Sequence, residues 1–233
     1  MTTDIVIAMM TVIARTKNTM HKGLFITFEG GEACGKSTQV KLLKEYIASR
    51  QDKENFLFVR EPGGTPLAEE IRKLILNYEG EKPHPMTELL LFTASRAQNC
   101  RQNIIPALKE GKVVIADRFY DSTLAYQGEA RKVASKEDIL SLTRMAIGDL
   151  KPDLTFYFKL DPEIAFQRKS KDEKLSKLDN IEKEGMEFHK AVARGYDFVA
   201  RIEPERFCVI DANLSIEVIF NIIKEKIEEK LKK

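Results

Sequence analysis

Tryptophan is absent, and cysteine and histidine occur three times each. Cys34, Cys100 and Cys208 are widely spaced and odd in number, which excludes a disulfide framework and a zinc-ligand spacing. Thiols of this kind belong to a reducing compartment, so a cytoplasmic protein is expected. His21, His84 and His189 form no ligand pattern. No apolar run approaches the roughly 20 residues of a membrane span. Nor does charge of one sign dominate: 38 Lys and Arg against 36 Asp and Glu leave a net charge of +2. No general attraction to nucleic acid or a membrane follows, and any basic function has to be local.

The 233 residues are 43% hydrophobic, enough for one sizeable core. No repeat or interdomain linker interrupts them, so residues 23–233 are expected to form a single domain. Residues 1–22 read as an extension. Ile5–Ala14 is apolar but short, and no basic residue precedes it, which argues against a signal peptide. Met20 stands just ahead of the first strand as a candidate start; a mobile tail and an added edge strand are the other readings.

The chain is organised around Phe28–Thr38, which contains G-x-x-x-x-G-K-[ST] from Gly30 to Ser37. An apolar run, Gly23–Phe28, precedes it and a helical pattern follows. Gly30, Gly31 and Gly35 allow the tight turn whose backbone N–H groups can cradle polyphosphate. Lys36 then reaches the terminal phosphates, and Ser37 ligates Mg²⁺.

Four more short apolar runs read as buried strands: Phe56–Val59, Val113–Ala116, Leu154–Leu160 and Phe207–Ile210. Helical periodicity separates most of them. Thr65-Pro66 opens one helix, a long helix runs from about Met86 towards Asn103, and Pro106 kinks or restarts it. Ser135 starts another helix, Gly148 stops it, and Asp161-Pro162 opens the next. Ile216, Ile219, Ile223 and Ile227 mark the last. Continuous apolar strands alternating with helices predict an α/β fold, a five-stranded parallel sheet with helices on both faces. Ligands of such sheets gather beyond the carboxyl ends of the strands, a rule that places Glu29–Lys36, Arg60-Glu61, Asp117-Arg118 and the segment after Leu160 around one crevice.

Within that crevice Asp117 is a candidate partner for Mg²⁺, or else a structural ion-pair member. Arg118 is a candidate phosphate clamp. Phe92 and Arg96 share one helix face, which suits stacking on a base and bonding its edge, or equally a core Phe with a snorkelling Arg. Arg72 is a surface helix arginine unless the fold turns it inward. Cys34 is a small filler of the loop, with a redox-sensitive thiolate as the other reading.

Phe28–Thr38, Arg60–Thr65, Glu88–Arg96 and Asp117–Gly128, followed by Pro152–Thr155 and Asp161–Glu163, together resemble the bacterial thymidylate (dTMP) kinases. The resemblance runs from Gly23 to the C-terminus. It implies a nucleoside monophosphate kinase fold with a lid at about 168–184, and transfer of the ATP γ-phosphoryl group to dTMP with Mg²⁺. It implies that Gly30, Gly31, Glu32, Ala33, Cys34, Gly35, Lys36, Ser37 and Thr38 bind ATP. Glu32 would also lie near the acceptor's sugar and phosphate. Arg72 and Arg118 would hold the monophosphate, Phe92 would stack on thymine, and Arg96 would touch the base edge. Thr123 and Gln127 would lie by the base, and Tyr126 against the sugar. Ser37, Asp117 and Glu61 would serve the Mg²⁺ region. It further implies a homodimer joined through helices, with Leu90, Leu91, Ala94 and Ala97 as the candidate face.

The lid departs from the pattern. One branch of the family carries an arginine where Ala33 stands; the other carries an Asp-Arg where this chain has Asp179-Asn180. Arg168, helped by Lys169, Lys171, Lys174 or Lys177, is the expected source of the missing charge, giving a catalytic set of Lys36, Asp117, Arg118 and Arg168. Two other readings stand beside dTMP kinase: a kinase for another nucleoside monophosphate, and a nucleotide switch without turnover.

Overall fold

The computed structural model describes residues 22–170, 181 and 184–232. The extension before Lys22 and most of the lid, including Lys171, Lys174, Lys177 and Asp179-Asn180, lie outside the described residues.

Five strands, β1 (Leu24–Gly30), β2 (Phe56–Arg60), β3 (Val113–Asp117), β4 (Leu154–Lys159) and β5 (Phe207–Asp211), form one sheet in the order β2-β3-β1-β4-β5. All neighbours are parallel. The expected strands are all present. β1 runs on to Gly30 because Glu29 and Gly30 still pair with Tyr157 and Phe158. The register sets Phe28 and Arg60 level with Asp117, so the carboxyl ends of three strands form one rim.

Side chains of β1 alternate between faces, as the strand period requires. Ile26 and Phe28 pack with Leu43 and Ile47 of α1 (Lys36–Ala48) and with Ile219, Ile223 and Ile227 of α9 (Ile216–Leu231). Phe25 faces the opposite layer, with Leu108, Phe119, Ile139 and Phe198. Thr27 and Glu29 share that second face and are fully buried. A polar stripe therefore runs inside the core towards the phosphate loop.

The helices on the second face are α2 (Pro66–Leu76), α3 (Pro85–Asn99), α4 (Ile105–Lys109), α5 (Tyr120–Thr123), α6 (Lys136–Ile147), α7 (Pro162–Ser170) and α8 (Met186–Ile202), though α7 lies at the edge beside α8. The expected caps are made: Thr65 Oγ1 accepts from Ala68 N–H at 3.1 Å, and Ser135 Oγ from Asp138 N–H at 3.0 Å. The long helix predicted from Met86 is interrupted. After α3 a π-helical turn spans Cys100–Ile104 before α4 begins. Pro106, with no N–H to give, sits in the first turn of α4, which accounts for the break.

Sequence periodicity leaves α8 unassigned. Its apolar stripe is strong (Ala191, Val192, Tyr196 and Val199 are buried), but it follows directly on the charged lid run. That helix packs on the turn Leu124–Ala130 and carries Tyr196 into the centre of the site.

Candidate active site

The carboxyl rim opens into a cavity of about 610 Å³. Of the residues expected at the site, all but Gly30 and Gly31 line it, from Glu32–Thr38 of the loop to Arg168. Gly30 supplies the floor instead. Its φ of +144° and the 2.6 Å that would separate an added Cβ from the Phe158 carbonyl leave room for glycine alone. Gly35 turns the chain into α1 with φ +88°.

Lys36 is 8% exposed and its Nζ donates to the Gly30 and Gly31 carbonyls at 3.1 and 2.9 Å. The loop thereby holds its own cation at the place where phosphate oxygens can replace the carbonyls. Cys34 is buried and its Sγ–H donates to the Gly31 carbonyl at 3.1 Å, the geometry of a packed loop residue.

Arg118 is the hub. It takes a φ of +70°, which puts its side chain across the loop rather than along β3. Nη1 donates to the Gly30 carbonyl at 2.9 Å and to Tyr196 Oη at 3.0 Å; Nη2 donates to Glu32 Oε1 at 2.9 Å. The guanidinium also lies over the Tyr126 ring, 5.2 Å from its centroid. Tyr126 Oη donates to the same Glu32 oxygen at 3.1 Å. Burial works against the charge of Glu32, but Arg118 and Lys36 outweigh it and hold the carboxyl down at about 2.

Below this hub lies Glu29, which pattern reading passes over because it continues an apolar strand. It is fully buried and accepts from Phe119 N–H at 2.6 Å, Ser122 Oγ at 2.7 Å and Tyr196 Oη at 2.9 Å. Burial, with the Asp121 carboxylate adding to it, pushes its pKa up to about 7 against the pull of Arg118. Asp121 is itself gripped by Arg206 through two contacts of 2.7 Å. Glu29 and Ser122 lie in stretches that the sequence reading places at the site but gives no role; Tyr196 and Arg206 it does not single out. A lone charge inside an apolar strand was the one available signal for Glu29.

On the base side the structure departs from the simple picture of Arg96 and Glu61. Arg96 is 2% exposed. Its Nε donates to Glu61 Oε2 at 2.7 Å, Nη1 to Thr123 Oγ1 at 2.9 Å and Nη2 to the Phe119 carbonyl at 3.2 Å. A guanidinium this deep needs its charge and donors matched, and Glu61 and Thr123 match them. Burial raises the Glu61 pKa, opposed by Arg96. Glu61 is thus paired with Arg96 through Oε2, while its Oε1 is buried without a hydrogen-bond partner among the described residues and the residue lines the cavity. Ser37 is exposed and Asp117 half-buried, and both line the cavity with Glu61.

Arg72 turns inward and donates to the Pro62 carbonyl at 2.9 Å. Phe92 is half-buried on the same wall. Arg168 stands at the opposite rim, where Nη2 donates to the Ala212 carbonyl at 2.9 Å. The metal question is one of donor chemistry. A hydroxyl and a carboxylate, both hard oxygens, fit Mg²⁺, which keeps several waters and takes few protein ligands beside phosphate.

The family model described as thymidylate kinase matches residues 28–223. The chain belongs to the thymidylate kinase family. It is 42% identical to a thymidylate kinase of Shouchella clausii over 212 residues, 91% of this chain and 98% of that one. It is 43% identical to a thymidylate kinase of Symbiobacterium thermophilum over 208 residues, 89% and 94% of the two chains. Among solved structures, thymidylate kinase from Ehrlichia chaffeensis superposes with a TM-score of 0.71 at 32% identity, covering 88% of this chain and 98% of that one. Membership makes this chain an ATP-dependent kinase on the P-loop nucleoside monophosphate kinase fold.

Proposed function

We propose that this thymidylate kinase family member transfers the γ-phosphoryl group of Mg-ATP to dTMP, giving dTDP for dTTP synthesis. The observation that supports the reading is one cavity lined by the phosphate loop together with Arg72, Phe92, Arg118, Thr123, Tyr126 and Gln127. In this reading Gly30–Thr38 bind ATP, Arg72 and Arg118 hold the acceptor phosphate, and Phe92 stacks on thymine. Arg96 acts at the base edge from its buried pair with Glu61. Ser37 and Asp117 would hold Mg²⁺, which when bound neutralises charge on the ATP phosphates.

The attacking atom is an already ionised phosphate oxygen, so no strong base is needed. Catalysis is alignment and charge neutralisation by Lys36, Arg118 and Arg168. Lys36 and Arg118 both donate to the Gly30 carbonyl, an oxygen that phosphate oxygens would replace. Glu32 beside Arg118 keeps its guanidinium at the acceptor side of the loop.

We also propose a homodimer. Leu67 and Leu74 of α2 and Met86 and Leu90 of α3 are 40% or more exposed, and the two helices pack side by side. Ala94 is exposed beside them, whereas Leu91 and Ala97 are half-buried. The cytoplasm, where ATP and dTMP meet, is the proposed location.

The test is ADP release coupled to a spectroscopic readout with dTMP, dUMP, UMP, dCMP and AMP as acceptors. Strong stimulation by dTMP, weaker by dUMP and poor by the ribonucleotides supports the assignment. Preference for another acceptor overturns the base-side roles, and ATP binding without stimulation by any acceptor overturns the activity.

A further inference from the structure

The buried carboxylate of Glu88 is among those not used by the mechanism above. Glu88 lies on α3, one turn before Phe92 and two before Arg96, and is 5% exposed. Its Oε1 accepts from Gln127 Nε2 at 2.8 Å and from Arg131 Nε at 3.2 Å; its Oε2 accepts from Arg131 Nη2 at 3.1 Å. Arg131 is fixed in turn. Its Nη1 donates to Glu184 at 2.7 Å, and its guanidinium lies 4.8 Å from the centroid of the Phe188 ring.

This arrangement decides which way the Gln127 amide points. An ionised carboxylate accepts hydrogen bonds and cannot donate one, so only the NH₂ end of Gln127 can face Glu88. The Arg131 guanidinium, which can only donate, faces both Glu88 oxygens and so holds both as acceptors. Gln127 is 2% exposed and lines the cavity beside Phe92 and Thr123. The amide end left for the cavity is therefore the carbonyl oxygen, an acceptor. An imide base such as thymine or uracil offers an N3–H donor to it. Cytosine presents a lone pair at N3 instead, and the two acceptors repel.

We infer that Glu88, braced by Arg131, is a specificity-determining positioning residue: by fixing the Gln127 amide it selects an acceptor whose base carries an N3–H donor. This inference rests on reading the cavity as a thymidylate site. Glu88 touches no substrate; it acts through Gln127.

The experiment compares dTMP with 5-methyl-dCMP, which differ only in the base edge at N3 and C4. kcat and KM are measured for both in the full-length enzyme and in Glu88→Gln. A glutamine at 88 can donate or accept, so it no longer dictates the amide. The expected result is a fall of ~10-fold or more in the kcat/KM ratio of dTMP over 5-methyl-dCMP, on the scale by which a well-built polar contact discriminates. It should come from a raised KM for dTMP and a lowered one for 5-methyl-dCMP, with a smaller change in kcat. A parallel loss for both acceptors at unchanged ratio means a structural role only, and overturns the inference. If Glu88→Gln does not fold, the pair Glu88→Gln/Arg131→Met, which buries neither charge alone, is read by the same ratio. A wild-type enzyme that uses neither acceptor, or prefers 5-methyl-dCMP, overturns the thymidylate reading itself and this inference with it.

Discussion

Replacing Arg118 by methionine should separate catalysis from stability. The guanidinium has two duties that the structure makes distinct. Towards the cavity it is the cation proposed above to take the acceptor phosphate. Towards the protein it is the charge that, with Lys36, holds Glu32 at about 2. A charge-assisted hydrogen bond is worth about 1.5–3 kcal/mol, so losing a two-pronged phosphate contact should cost roughly 3–6 kcal/mol, or about 10²–10⁴ in kcat/KM for dTMP. The same change strips Glu32 of its strongest cation in a half-buried site. Arg118→Met should therefore also unfold at lower urea. The double variant Arg118→Met/Glu32→Gln removes the orphaned carboxylate, and should regain most of the stability but none of the activity. Steady-state kinetics and urea midpoints on the two variants give both numbers. Arg118→Met losing less than about 10-fold in kcat/KM while folded would refute the phosphate assignment. Recovery of turnover in the double variant would show that Arg118 acts only by neutralising Glu32.

Three other perturbations follow from the core. Arg96→Met leaves Glu61 buried without its cation, which should cost about 3–5 kcal/mol in urea unfolding; Arg96→Met/Glu61→Gln should recover much of that. Thr65→Ala removes the cap on α2 and should cost about 1 kcal/mol, a fall in Tm of about 2–4 °C by calorimetry. Glu29 sets a pH dependence whose sign is opposite to the usual carboxylate. Its native pKa of about 7 lies above the ordinary 4.5, so the unfolded chain ionises first and stability falls as pH rises from about 4.5 to 7. Glu32, held at about 2, acts the other way and loses its contribution only as pH falls from about 4.5 towards 2. Wild type and Glu29→Gln should thus differ in their stability change between pH 4.5 and 7 by about 3 kcal/mol, from 1.36 kcal/mol per unit. Parallel urea curves across that range would refute the burial argument for Glu29.

What was legible in the sequence is what depends on local chemistry. Gly30–Ser37 announces itself because a phosphate cradle needs glycines and a lysine at fixed spacing, and the caps at Thr65 and Ser135 because a hydroxyl satisfies one orphan N–H. The strands were legible because a sheet covered on both faces needs continuous apolar runs. The structure adds what depends on contacts across long sequence separations. Tyr196 reaches Glu29 across 167 positions, and Gln127 reaches Glu88 across 39. No periodicity encodes such pairs. α8 illustrates the limit: its stripe has full helical spacing, yet the charged run before it masks where the helix starts. Glu61 shows a second limit. Position alone puts a strand-end carboxylate at the rim, but not its ion pair with Arg96, 35 residues on and equally buried. A buried arginine needs a counter-charge within reach, and such a pair leaves no periodicity in the sequence. The polar residues of this site therefore sort by depth: those at the rim, Ser37 and Asp117, are open to ligands, and those beneath it, Glu29, Glu61, Glu88 and Arg206, spend their charge holding the others in place.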